Sequence, residues 1–321
     1  MKTNLQNWSI SDIWNTKVSI QQRPAKKRDY INASDMGGAY LDRYLKMAGT
    51  EPSNAYDERV LRIFNAGNIF EWIILKVFRE AGILQSSQDW LEVPATKEHL
   101  KVIGRPDAIV GGLPSWDTAR ENIMKEDFPD WLKEMSVKFI AELEKKYPKG
   151  LRPVIAEIKS VNSMAFWAHK NRDESGVFKG YPHHKLQLLT YLLAHPEIKQ
   201  GKLFYISKDD LCLQETDVNI TEDLLKIWNE DVKQMTKYYL TKTKPPKEED
   251  VVFNEQKGKW EENWKMGRSN YLTLITGLKK EVWEEKAHQL VLAKNKEMRA
   301  KAKEEKIRLS VSETGMQGPT S

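Results

Sequence analysis

Three stretches of the chain carry residues whose types and spacing could do hydrolytic chemistry. PVIAEIKSV, residues 153–161, puts Glu157 and Lys159 two apart inside an apolar run. In an extended strand those two side chains share a face while Ile158 points to the other. Two charges on one face of an apolar strand are costly unless something compensates them, and a divalent cation is one such partner. VIGRPDAIV, residues 102–110, offers a second acid in Asp107, and AGNIFEWIIL, residues 66–75, a third in Glu71 at the edge of an apolar helix stripe. Three carboxylates make an oxygen-rich set suited to Mg2+ or Mn2+. Such an ion on a phosphodiester polarises it, lowers the pKa of a water and neutralises the leaving oxygen. Lys159 would orient the attacking water and stabilise negative charge. The reaction expected of this set is phosphodiester hydrolysis.

Each residue also has a plainer reading. Asp107 alone is a turn acid after Gly104 and Pro106, and Glu71 alone is a helix-surface glutamate. Glu-x-Lys arises by chance about once in 300 residues at average composition, and Glu197-Ile198-Lys199 repeats the tripeptide in HPEIKQG. Context separates the copies: the second sits in a turn after a helix, where charges are ordinary, whereas the first lies in an apolar strand.

The elements that must position these residues follow from periodicity. Residues 1–30 are polar and basic and read as an arm; Ser34 can cap a helix through about Met47, ended by Gly49. A helix is expected from about Asp57 to Ala81, with Ile63, Phe64, Phe70, Ile73, Ile74, Val77 and Phe78 as its apolar stripe and Gly82 as a stop. Trp90–Thr96 and Leu100–Val110 read as strands, residues 116–147 as amphipathic helix carrying Trp131, Leu132, Phe139, Ile140 and Leu143, and Val154–Val161 as a strand. Residues 162–180 are irregular and basic. Pro182 opens a helix through about Ala194, followed by strands at Lys202–Ser207 and Leu211–Asp217 and a helix at about Thr221–Tyr239. KTKPPKEED, residues 242–250, is a linker by composition. A segment with Trp260, Trp264 and Trp283 and a charged helix to about Arg308 come next, and the last dozen residues are expected to be disordered.

The expected organisation is an N-terminal arm and helix over 1–55, a catalytic core over 56–240 with a helical insert at about 113–152, and a linker, helical extension and tail over 241–321. The fold class expected is α/β, a small mixed sheet flanked by helices. The formal net charge of +5 permits nucleic-acid binding without demanding it. The single cysteine, Cys212, excludes an intramolecular disulfide and a four-cysteine zinc or iron-sulfur site held by this chain alone. No continuous apolar run opens the sequence and none is long enough to span a bilayer, so a cytoplasmic protein without a membrane partner is expected. His169, Lys170, Arg172 and His184 are candidate phosphate contacts, His184 the best placed, and the three C-terminal tryptophans either stack on bases or pack into a core.

Taken together, Pro106-Asp107 followed by Glu157-Ile158-Lys159 resembles, in order and setting, the signature of the PD-(D/E)XK nucleases. Gly104-Arg105-Pro106-Asp107 is similar to the G-x-x-D form of the first strand motif. Gln187-Leu188-Leu189-Thr190-Tyr191 resembles the Q-x-x-x-Y helix motif of the RecB-like branch, which includes the CRISPR-associated exonucleases. Gly67 to Glu71 falls where that branch has a helical Gly-x-x-x-His. The resemblance covers about residues 60–217. It implies a restriction-endonuclease-like core, and Mg2+ or Mn2+ bound by Asp107 and Glu157 with Glu71 assisting and the Ile158 carbonyl joining. It further implies that Lys159 handles the water, and that Gln187 and Tyr191 support the centre and contact DNA alongside His184. The implied substrate is DNA, single-stranded or at duplex ends. The implied activity is that of an exonuclease in phage or bacterial recombination or repair, beside a recombination or replication protein. A non-catalytic DNA-binding or assembly role, and a structure- or sequence-specific endonuclease, are the alternatives. Three departures stand out: Glu71 replaces the histidine, the chain lacks the cysteines of an iron-sulfur cluster, and the insert at about 113–152 between the two catalytic strands is unusually long.

Overall fold

A computed structural model of the chain describes residues 9–20, 24–168, 172, 176 and 179–314. They divide into two units, Met1–Glu51 with Tyr56–Lys244, and Pro52–Ala55 with Pro245–Ser321. The first unit opens with α1 (Ile10–Ser19), β1 (Ile31–Asn32) and α2 (Tyr40–Ala48), and then α3 (Glu58–Glu80). Four short strands follow: β2 (Leu84–Ser86), β3 (Leu91–Val93), β4 (Val102–Gly104) and β5 (Ala108–Val110). The insert is α4 (Trp116–Lys125) and α5 (Asp130–Lys146). After it come β6 (Val154–Val161), α6 (Ser163–Trp167), α7 (Pro182–Ala194), β7 (Gln200–Ser207), β8 (Leu213–Asn219) and α8 (Glu222–Leu240).

The main sheet has the order β2-β5-β6-β7-β8 and is antiparallel except for the β6–β7 pair. A parallel pair needs a crossover, and α7 supplies it. Every residue of α7 from Leu186 to Leu192 is buried, as a helix apolar all round must be. One side of it packs with Ile155, Leu203 and Tyr205 of the main sheet; another joins Ile31, Met36, Trp228, Val232 and Met235 over the smaller sheet β1-β4-β3. On the reverse of the main sheet, Leu75 and Phe78 of α3 meet Ala108, Val110, Val154 and Ala156. The fold is therefore the α/β class expected, a mixed sheet flanked by helices with a helical insert between β5 and β6. Among the described residues no helix is long and apolar enough to cross a membrane.

Several local expectations are corrected. Leu100–Val110 is not one strand. Pro106, which has no N–H to give a ladder, stands between β4 and β5, which belong to different sheets. Helix α2 starts at Tyr40 rather than at Ser34, because Gly37 at φ +71° turns the chain against His183 first. The arm contains α1, and the insert is two helices. The apolar stripe of α3 is largely on the surface: Leu61 and Ile74 are buried, but Ile63, Phe64, Ile73 and Val77 are exposed. Trp131 of α5 is likewise exposed, while Ile140 is fully buried with Ala81, Trp116 and Ile123.

The second unit, for which the sequence predicts helix, also holds a hairpin, β9 (Val251–Asn254) with β10 (Lys259–Glu262). Its helices are α9 (Trp264–Gly267), α10 (Leu272–Thr276) and α11 (Lys280–Thr314). Val251, Met266, Leu272, Trp283 and Ala287 form its core, with Trp260 packed against them. Trp283 and Trp260 thus pack within this unit, whereas Trp264 is exposed. Residues 310–314, expected to be disordered, continue α11; residues 315–321 lie outside the described residues.

Candidate functional site

The local sequence of β6 settles where its charges go. Ala156 pairs with Ala108 in the antiparallel register, and one step further along Asp107 falls opposite Glu157. The β5–β6 ladder stops at Ala108 and the Pro106 carbonyl accepts from the Gln88 N–H, so the Ile158 N–H meets no ladder carbonyl. It donates instead to Asp107 Oδ2 at 2.6 Å. In an extended chain a residue's N–H and C=O leave on the same edge, so the Ile158 carbonyl is directed to that edge too.

Glu157 is 2 % exposed. Its Oε1 accepts from Gln187 Nε2 at 2.7 Å and from the Lys159 ammonium. Its Oε2 is buried and accepts no hydrogen bond among the described residues. Gln187 Nε2 also donates to the Tyr191 hydroxyl at 3.0 Å, so the two residues one helical turn apart on α7 act as a single brace behind Glu157. Tyr191 in turn lies against Gly104, where a Cβ would come 2.6 Å from its ring. The glycine of VIGRPD and the tyrosine of QLLTY therefore meet. Glu71 is half-buried on α3, one turn from Leu75, and its Oε1 accepts from Gln88 Nε2 at 2.7 Å. The same nitrogen donates to Asp107 Oδ1 at 3.1 Å.

The electrostatics follow from this crowding. Burial first, and then the Asp107 charge, push the Glu157 carboxyl up to about 8 against the pull of Lys159. Burial raises Asp107 as well, opposed by Lys159 and by the Ile158 and Gln88 donors. Glu71 is raised by burial and by Asp107. Burial works against the Lys159 charge, but the Glu157 and Asp107 carboxylates outweigh it and hold the ammonium above its ordinary range. All three acids are shifted upward by desolvation, and Glu157 and Glu71 by the Asp107 charge as well, so the cluster is short of positive charge.

The residues suit a hard cation: oxygen donors, one of them a buried carboxylate oxygen that accepts no hydrogen bond, and an ammonium alongside. Among the described residues, however, no three histidine, cysteine, aspartate or glutamate side chains stand as a group able to hold a metal ion. Gln88 stands between Glu71 and Asp107. Gln88 is the residue that the sequence reading missed. It lies in the β2–β3 connection, belongs to no motif and carries no periodic signal; only its tertiary position reveals it.

The remaining candidates are placed as follows. His184 opens α7, and its Nδ1 lies 2.9 Å from the Tyr205 hydroxyl; Tyr205 pairs with Lys159 across β6 and β7. Arg172 lies over the Trp167 ring at 4.8 Å and donates to the Phe166 carbonyl at 3.0 Å, which binds it to α6. His169 and Lys170 lie outside the described residues. The second tripeptide is in a turn, where Glu197 pairs with His195 at 2.9 Å and Lys199 donates to the Pro196 carbonyl.

No family model and no curated protein matches the sequence. Two solved structures resemble the fold at low similarity. One is described as the crystal structure of SSO0001, with a TM-score of 0.39 and 16% identity over 75% of this chain and 90% of that one. The other is an alkaline exonuclease (LHK-Exo) from Laribacter hongkongensis, with a TM-score of 0.40 and 13% identity over 72% of this chain and 93% of that one.

Proposed function

We propose that the chain is a metal-dependent deoxyribonuclease that hydrolyses phosphodiester bonds, acting as an exonuclease on DNA ends in phage or bacterial recombination or repair. The observation that carries the chemistry is Glu157. It is buried opposite Asp107, its Oε1 is taken by Gln187 and Lys159, and its Oε2 accepts no hydrogen bond among the described residues. Two buried carboxylates, Asp107 and Glu157, share the one Lys159 ammonium, and the negative charge left over is costly to bury without a further cation. The preference for ends and the pathway rest on the resemblance of the motifs alone.

In this reading Asp107, Glu157 and the Ile158 carbonyl hold Mg2+ or Mn2+, with Glu71 assisting. When bound, the ion supplies Lewis-acid polarisation of the scissile phosphate. Lys159 hydrogen-bonds the attacking water and offsets the charge that builds on the phosphate oxygens. Gln187 fixes the Glu157 carboxylate, and Tyr191 fixes Gln187. His184, at the open end of α7, contacts the DNA backbone with them.

The test uses end-labelled linear DNA and closed circular DNA with Mg2+, Mn2+ or EDTA, beside Lys159→Ala. The expected result is loss of label from linear DNA only, abolished by EDTA and slowed by about 100-fold or more in the variant. Cutting of circles makes the protein an endonuclease. Binding without cutting in either metal overturns the enzymatic reading.

A further inference from the structure

We infer that Gln88 is a ligand of the cation site, its amide nitrogen keeping the place between Glu71 and Asp107 that the ion takes. The inference rests on the proposed cation site and adds a member that none of the sequence motifs contains. A single donor, Nε2, reaches Glu71 Oε1 at 2.7 Å and Asp107 Oδ1 at 3.1 Å. These acids come from α3 and from the turn before β5, and one atom in contact with both occupies the point where a bridging cation would sit.

The backbone argues the same way. Gln88 has φ +58°, a left-handed conformation that a residue with a side chain adopts at a cost and a glycine adopts freely. Its N–H donates to the Pro106 carbonyl at 3.1 Å, which fastens it beside the residue preceding Asp107. A non-glycine residue held in a strained conformation next to buried acids is a mark of a working side chain. The amide is also the right group. It is neutral, so its N–H eases the repulsion between two carboxylates without supplying the missing charge. When an ion takes that place the amide must draw back, and a half-turn about its last torsion then presents the carbonyl oxygen, a hard donor that Mg2+ and Mn2+ accept. That oxygen adds to a site in which no three acids among the described residues already form a metal-holding group.

The experiment is calorimetric titration of the full-length protein with Mn2+, paired with thermal melting in EDTA, for the wild type, Asp107→Asn, Gln88→Leu and Gln88→Glu. Binding in the wild type should be lost in Asp107→Asn. Gln88→Leu should raise the Mn2+ Kd by about tenfold or more. Gln88→Glu should lower the Tm in EDTA, because a third carboxylate repels the other two, yet bind Mn2+ more tightly than the wild type. A glutamine that serves only the metal-free fold would lower the Tm in both variants and leave the Gln88→Leu Kd within about twofold of the wild type; that result overturns the assignment and leaves the cation site standing. Should Gln88→Leu not fold, weaker Mn2+ binding by Gln88→Glu than by the wild type overturns it instead. If the wild type and Asp107→Asn titrate alike, the cation site and the role of Gln88 fall together.

Discussion

A methyl group on residue 104 would come 2.6 Å from the Tyr191 ring and 2.7 Å from the Ala33 Cβ. The two motifs that carry Gly104 and Tyr191 are thus a single packing unit, and the glycine serves close approach rather than backbone freedom. Gly104→Ala should cost about 1–3 kcal/mol, the range for overpacking a tight core, read as a shift of the urea midpoint. Gln187 acts by contact: its Nε2 holds both Glu157 Oε1 and the Tyr191 hydroxyl. Gln187→Ala should weaken Mn2+ binding by about 10–100-fold, as loss of an outer hydrogen bond to a ligand does, while circular dichroism stays that of the wild type.

At the scale of elements, one ion pair ties α2 to α8 and two more hold the N-terminal segments to one another. Arg43 of α2 is 2 % exposed, and its Nη1 donates to both carboxylate oxygens of Asp231 on α8, at 2.7 and 2.8 Å. Asp231→Ala strands a buried guanidinium and should cost about 3–5 kcal/mol, measured by chemical denaturation. Asp35 accepts from Arg28 and Lys46 at 2.8 Å each. Burial works to raise its carboxyl, but Lys46, Arg28 and Arg43 outweigh it and hold the group below its ordinary value. A depressed carboxylate contributes stability that is full above the unfolded-state value, about 3.9, and is lost as pH falls through the folded one. Wild type should therefore exceed Asp35→Asn in unfolding free energy at pH 5–7, and the gap should close progressively below about pH 4.

For the whole molecule, the raised carboxyl group at Glu157 has the opposite sign. The native state binds its proton more tightly than the unfolded chain, so the metal-free protein should lose stability as pH rises from about 4.5 toward 8. Asp107 and Glu71 are shifted in the same direction and add to the slope. A cation favours the ionised acids and cancels the loss. Melting in EDTA should show Tm falling over that window, with Mn2+ restoring more at pH 8 than at pH 6. At 100 times its Kd the ion should add about 2.7 kcal/mol, and Asp107→Asn should abolish the gain.

What the amino-acid sequence determined by itself is what local physics can specify. The alternation of β6, the proline that opens α7, and the caps at Asp57 and Thr221 depend on neighbours a few residues away, and these elements stand within a residue or so of where periodicity puts them. Glu157 and Lys159 could be picked out because charge inside an apolar strand is anomalous at any register. Tertiary structure alone decided the rest. It sent β4 and β5 into separate sheets, left the α3 stripe exposed and paired Pro52–Ala55 with the second unit. It also brought Gln88 between Glu71 and Asp107, residues 17 and 19 positions away. Each of those outcomes turns on which distant surface reaches a given group first, and a distance between elements is not written in the periodicity of either one.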